Sequence, residues 1–98
     1  MAATREFRDN PDAQRYELVV DGLVKSYAGY ERRGDVLVLP HTVTDPSARG
    51  QGLAGELVAQ VLDLARANGW TVVPACWYVG QFIDEHPEYA DLVAEPRT

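Results

Sequence analysis

One stretch constrains this chain more than any other: Leu39 to Glu56, LPHTVTDPSARGQGLAGE. An apolar strand, Val36 to Leu39, runs into a short loop, and the loop opens a long amphipathic helix. Gly50, Gly52 and Gly55 fall in the loop and the first helical turns. The first N–H groups of a helix have no intrahelical partner, and the helix dipole places positive potential there. Glycines remove the Cβ atoms that would hold a ligand away from those groups. Strand, glycine-bearing turn and helix start together predict a cradle for an anion, most often phosphate.

The cradle is not either of the common nucleotide signatures. A mononucleotide loop needs G-x-x-x-x-G-K-[ST], and no Lys-Ser or Lys-Thr follows these glycines. The dinucleotide fingerprint can be laid on Gly50, Gly52 and Gly55. It belongs after the first strand of a parallel unit, with an acid at the end of the next strand. Here several hairpin-like strands come first, and the next strand, from Trp70, carries no acid. Arg49-Gly50-Gln51-Gly52-Leu53-Ala54 fits a third pattern, [Q/R]-x-x-G-x-[G/A], with Val43, Pro46 and Arg49 as its lead-in. This resembles the pyrophosphate-binding signature of the GNAT superfamily of acyl-CoA-dependent N-acyltransferases. Pro74 to Val79 and His86 to Tyr89 look like a small stand-alone GNAT-like subfamily. The resemblance covers about Pro40 to Val93. It implies an acetyl-CoA-dependent N-acetyltransferase, or a module that binds coenzyme A or an acyl-CoA without turnover.

The chain of 98 residues is long enough for one core, and residues 1–98 read as one minimal domain. No run approaches the roughly 18 apolar residues of a membrane span, and the N-terminus lacks an apolar signal core. Cys76 is the only cysteine, which excludes an intrachain disulfide and a cysteine metal cluster. These features point to the cytoplasm. A net charge of −6 and a pI near 4.7 argue against a nucleic-acid binder, which needs a basic face. An acidic body favours a cationic acceptor such as an amine, or serves solubility alone.

In chain order, residues 1–5 read as frayed and Glu6 to Asn10 as a short edge strand. Tyr16, Leu18 and Val20 alternate with Glu17 and Val19 as in a strand, and Asp21-Gly22 signals a tight hairpin. Leu23 to Glu31 returns, and Arg33-Gly34-Asp35 turns the chain again. The uninterrupted apolar run from Val36 to Leu39 predicts a central strand covered on both faces. A helix is expected from about Gly50 to Ala67, its stripe formed by Ala54, Leu57, Val58, Val61, Leu62 and Ala65. Gly69 ends it, and Trp70 to Val73 forms the next strand, parallel to the first. The expected fold is therefore α/β: a mixed sheet, an antiparallel meander followed by a β-α-β unit. Pro74 cannot serve a central ladder, so the parallel pair should part near Pro40 and Pro74. Cys76 to Glu85 and Pro87 to Val93 read as helical, and residues 94–98 as disordered.

The resemblance assigns roles by position. Arg49, with Gly50 and the amides of Gln51, Gly52, Leu53 and Ala54, would hold the diphosphate of coenzyme A. Thr42, Val43 and Thr44 would offer main-chain bonds to the pantetheine arm in the splay. Two roles stand for Cys76 at a helix start: acyl-accepting nucleophile, or pocket wall near the cofactor sulfur. Two also stand for His41: general base beside Cys76, or a histidine that orders its loop. Tyr78 is the candidate donor to the departing thiolate, and His86 reads as structural. No helical pattern precedes Tyr16, so the acceptor groove should be open. That suits a protein or peptide amine, a partner subunit completing the site, or no efficient catalysis at all, in a monomer or a homodimer.

Overall fold

The computed structural model describes residues 4–94. The first half is a meander: β1 (Arg5–Asn10), β2 (Arg15–Val20), β3 (Leu23–Gly29), β4 (Glu31–Arg33), β5 (Val36–Val38) and β6 (Thr42–Thr44). A 3-10 turn (Pro46–Ala48) leads to α1 (Leu53–Asn68), β7 (Thr71–Val73), α2 (Trp77–Glu85) and a second 3-10 segment (Pro87–Leu92). Asp21 and Gly22 close the β2–β3 hairpin with φ of 52° and 84°, the twist that a two-residue turn requires.

Two sheets result, ordered β1-β2-β3-β6 and β4-β5-β7, and only the β5–β7 pair is parallel. They are joined by two bent strands, β3 into β4 and β5 into β6. Between the pairs Ala28–Thr42 and Glu31–Val38, the first strand advances three residues and its partner four. The extra residue is a bulge at Leu39-Pro40-His41, and there the sheet splits. Below the bulge β5 bonds β7; above it β6 turns away to bond β3. Leu39 still donates to Val73 O at 3.0 Å, and Cys76 to Leu39 O at 2.9 Å, so the split opens just beyond Cys76. Pro40 and Pro74, which have no N–H to give a ladder, flank the opening.

Leu53, Leu57, Val58, Val61, Leu62 and Ala65 form the buried stripe of α1. They pack on Tyr16, Leu18, Ala28, Leu37, Leu39 and Val72, with Val79, Phe82, Ile83 and Leu92 closing the far end. Each such leucine or valine taken out of water contributes about 1.5–3 kcal/mol.

Several sequence expectations are corrected in detail. α1 begins at Leu53, not Gly50, because Gly50 and Gly52 hold left-handed conformations. The strand expected over Leu23 to Glu31 breaks at Tyr30 where the sheet bends. The Val36–Leu39 run is not covered on both faces: Leu37 and Leu39 are buried, while Val36 and Val38 are half-buried. The helices form one layer, so only alternate residues reach it. Arg5 lies within β1, and the Ala94 amide donates to Val72 O at 2.8 Å, so neither is frayed. The rest of the expected disorder, residues 1–3 and 95–98, lies outside the described residues. No helix among them is long and apolar enough to cross a membrane.

Candidate functional site

The start of α1 is left without a side-chain cap. Its N-cap is Gly52, which carries no side chain. By contrast, the preceding 3-10 turn is capped by Asp45, whose carboxylate accepts from the Ser47 amide at 2.8 Å. The first helical bond of α1 is Glu56 N–H to Gly52 O at 3.0 Å. Among the described residues, none of the amides from Gly50 to Gly55 donates to a protein acceptor. Arg49, extended and exposed, makes no ion pair among them either. A row of unpaired donors beside a guanidinium is a site for a polyanion.

The row opens into a cleft of about 480 Å³, walled by β6, the α1 start and the α2 start. Thr42, Thr44, Arg49, Gly50, Gly52, Leu53 and Ala54 line it, with Cys76, Trp77 and Tyr78 opposite. In β6, Gly29 donates to His41 O at 3.0 Å and Asp45 to Lys25 O at 2.7 Å. By the antiparallel alternation, the main-chain groups of residues 41, 43 and 45 therefore face β3. Those of Thr42 and Thr44 face the split. The open edge thus offers two residues rather than the three expected: Val43 gives its main-chain groups to β3, and its side chain lies on the other face. Leu53 contributes an amide only, its side chain being core, and Gln51 lies outside the lining.

Cys76 is the N-cap of α2 and is buried at 8% exposure. Burial pushes its thiol up. The Val79 amide, the Thr42 hydroxyl and the amides of Tyr78 and Thr42 pull harder the other way, holding the thiol below an ordinary cysteine. The Thr42 hydroxyl, also buried, lines the same cleft wall and has no hydrogen-bond partner among the described residues. Tyr78 stands across α1, and a Cβ at Gly55 would lie 3.4 Å from its hydroxyl. Burial and then the Glu85 charge raise its phenol, which stays protonated at neutral pH.

Of the two roles the sequence leaves to His41, the pairing with Cys76 is not formed. His41 and Thr42 are neighbours on a strand, so they face opposite sides of the sheet. Thr42 faces Cys76, and the His41 ring lies under Gly29, edge-on to Tyr27 at 6.2 Å between centroids. His86 is structural: its Nδ1 meets Phe82 O at 2.8 Å, and its ring stacks on Phe82. Trp77, for which the sequence leaves both core and pocket wall open, is 76% exposed at the cleft rim, edge-on to Tyr78. Gly55 lies opposite Tyr78, where an added Cβ would make ordinary contact with the hydroxyl.

A split sheet with an uncapped helix start beside the split defines the class of the domain: α/β, with a parallel pair that parts at the cleft. The model of the GCN5-related N-acetyl-transferase family matches residues 15–92, and the chain belongs to that family. It is an N-acetyltransferase by family, and all the cleft residues fall within the match. Solved structures share the fold. A GCN5-like putative N-acetyltransferase from Staphylococcus aureus superimposes with a TM-score of 0.71 at 17% identity, over 94% of this chain and 90% of that one. The ribosomal-protein-S18-alanine N-acetyltransferase of Escherichia coli gives 0.61 at 21% identity, over 74% of this chain and half (50%) of its own. The N-acetylglutamate synthase of Neisseria gonorrhoeae, complexed with coenzyme A and N-acetyl-glutamate, gives 0.56 at 20% identity. There the match spans 74% of this chain and 18% of that one. No curated protein sequence matches this chain.

Proposed function

We propose that the protein transfers an acetyl group from acetyl-CoA to an amine. The observation that carries this reading is the row of unpaired amides from Gly50 to Gly55, set beside a strand edge that is open at Thr42 and Thr44. The donor set fits coenzyme A in chemistry. Amides and Arg49 suit a diphosphate, and an open β-edge suits the two amide groups of a pantetheine arm. Acetyl-CoA would supply an activated acyl carbon at the far end of the cleft.

The chain's own groups there are few. Among the described residues, Cys76, Tyr78 and Arg49 are the only titratable ones lining the cleft, and neither a carboxylate nor an imidazole is among them. Cys76, lowered in pKa by the α2 amides, would take the acyl group on sulfur and pass it to the amine. Tyr78, kept protonated, would give its proton to the departing thiolate and, as the phenolate, take one back from the amine as it displaces the Cys76 sulfur. The same scarcity of bases supports a second reading, a module that holds coenzyme A or an acyl-CoA without turnover. His41 has no place in either at the thiol, because it sits on the other face.

Calorimetry with coenzyme A and acetyl-CoA tests the shared step, and absence of heat from both sinks the two readings together. Incubation with labelled acetyl-CoA, comparing the native chain with Cys76→Ala, then divides them. Label held on the native protein and lost in Cys76→Ala supports transfer through sulfur. Transfer to an amine that survives the substitution leaves the transferase but removes Cys76 as nucleophile. Binding without transfer to any amine leaves the sensor.

A further inference from the structure

Behind the split, on the face away from α1, lies a second recess of about 510 Å³ lined by Gln14, Arg15, Tyr27, Tyr30, Glu31 and His41. The chain as a whole carries a net charge of −6, and Glu31 stands at the rim of this recess, yet Arg15, Tyr27, Tyr30 and His41 bring a cation and hydrogen-bond donors into it. Arg15 lies flat over the Tyr27 ring, 4.2 Å from its centroid, and spends its Nε on Glu17 at 2.6 Å. Its terminal nitrogens make no other bond among the described residues. The Tyr27 hydroxyl and both His41 ring nitrogens likewise have no hydrogen-bond partner among them.

The nearby acids are already engaged. Glu17 is held by Arg8, Asn10 and Arg15, Asp9 accepts from the Tyr30 hydroxyl at 2.8 Å, and Glu31 accepts from Arg33 at 2.9 Å. The His41 ring lies against Gly29: a Cβ there would fall 2.4 Å from the ring, so a larger residue at position 29 would push it aside.

We propose that this recess seats a carboxylate carried by the acceptor amine. Arg15 presents planar, unspent N–H groups, the geometry that a carboxylate accepts best, with Tyr27 and His41 beside it. His41 lines the recess and Thr42 lines the coenzyme cleft, adjacent residues on opposite faces at the bulge. A ligand anchored by its acid therefore meets the split from the side opposite the thioester. That the ligand is an acceptor rests on the transferase reading; the recess's preference for a carboxylate does not.

The two are therefore tested separately. The full chain without coenzyme A is titrated with L-alanine and with L-alaninamide, and with the amidated peptides Asp-Ala-Ala and Ala-Ala-Ala. Backbone amide shifts of residues 27–31 and 41–42 are followed by NMR. The acid-bearing member of a pair should bind about tenfold more tightly than its neutral partner, through one charge-assisted set of bonds. A response to L-alanine makes the acceptor a free amino acid, and a response to Asp-Ala-Ala alone makes it an acidic peptide; both support the proposal. Tyr27→Phe removes a hydroxyl that nothing in the described protein uses, and Gly29→Ala displaces the His41 ring. Each should erase most of that preference while leaving calorimetric coenzyme A affinity intact. Equal binding of acid and amide, or shifts confined to the cleft, overturns the proposal even if coenzyme A binds as expected. Loss of coenzyme A binding with the acid preference retained removes the transferase and leaves the recess.

Discussion

Gly52→Ala separates the cost of a strained backbone from the cost of an obstructed cradle. Gly52 has φ 73° and ψ 16°, a left-handed conformation that an L-residue enters at about 1–2 kcal/mol. A Cβ built there meets no protein atom within 4 Å, so the protein itself adds no steric cost. For a domain of this size the melting temperature should fall by roughly 4–16 °C. The same Cβ stands in the lining of the cleft, among the amides proposed to grip the diphosphate. Displacing an anion from charge-assisted bonds costs about 1.5–3 kcal/mol, so coenzyme A should bind roughly 10- to 150-fold more weakly. Gly34→Ala is the matched control. It has φ 63°, an equally empty Cβ position, and a place in the β4–β5 turn away from the cleft. Thermal melts should show similar destabilisation of both variants, and calorimetry below both melting temperatures should show the affinity loss in Gly52→Ala alone. Equal coenzyme A affinity in the two would refute the cradle.

Three other outcomes follow from the same structure. Hydrogen bonds from Asn10, Arg8 and Arg15 outweigh burial at Glu17 and hold its carboxyl down to about 2, against an ordinary 4.5. A depressed carboxyl stabilises the fold fully above its unfolded value and loses that contribution as pH falls towards 2. The arginines covering it are themselves wet, so the contribution is discounted to about 1–2 kcal/mol. Urea melts of Glu17→Gln should show that much less stability at pH 7 and a flatter profile between pH 5 and 2; parallel profiles would refute this. Leu57→Ala, at 0% exposure in the core of α1, should cost about 2–5 kcal/mol by chemical denaturation. A loss under 1 kcal/mol would mean that α1 does not pack as described. Tyr78→Phe should lower kcat about tenfold or more with little change in KM, on the proposal that the hydroxyl protonates the leaving thiolate; an unchanged kcat removes that role.

The local code was legible because it is local. Glycines at 50, 52 and 55, apolar residues at helical spacing from Leu57 to Ala65, Asp21-Gly22 between alternating strands, and prolines at 40 and 74 each act within a few residues of themselves. They specified the hairpin, the helix, the split and the uncapped helix start without reference to distant chain. What depended on facing was not legible. Glu17 sits in a strand whose alternation says nothing about how buried a carboxylate becomes. It is covered because Arg8 and Asn10 arrive from the neighbouring strand to neutralise it.

His41 and Cys76 look like partners on a linear chain because both lie at strand ends beside the split. One residue of bulge decides which face each strand position takes, and register is a property of the pairing rather than of either strand. The sequence by itself determined that a glycine-bearing, uncapped helix start would follow the strands, because backbone conformation at glycine and proline is set by the residue itself. Only the tertiary structure decided that the thiol and the imidazole serve two different cavities, because that follows from the sheet's handed alternation on either side of the bulge.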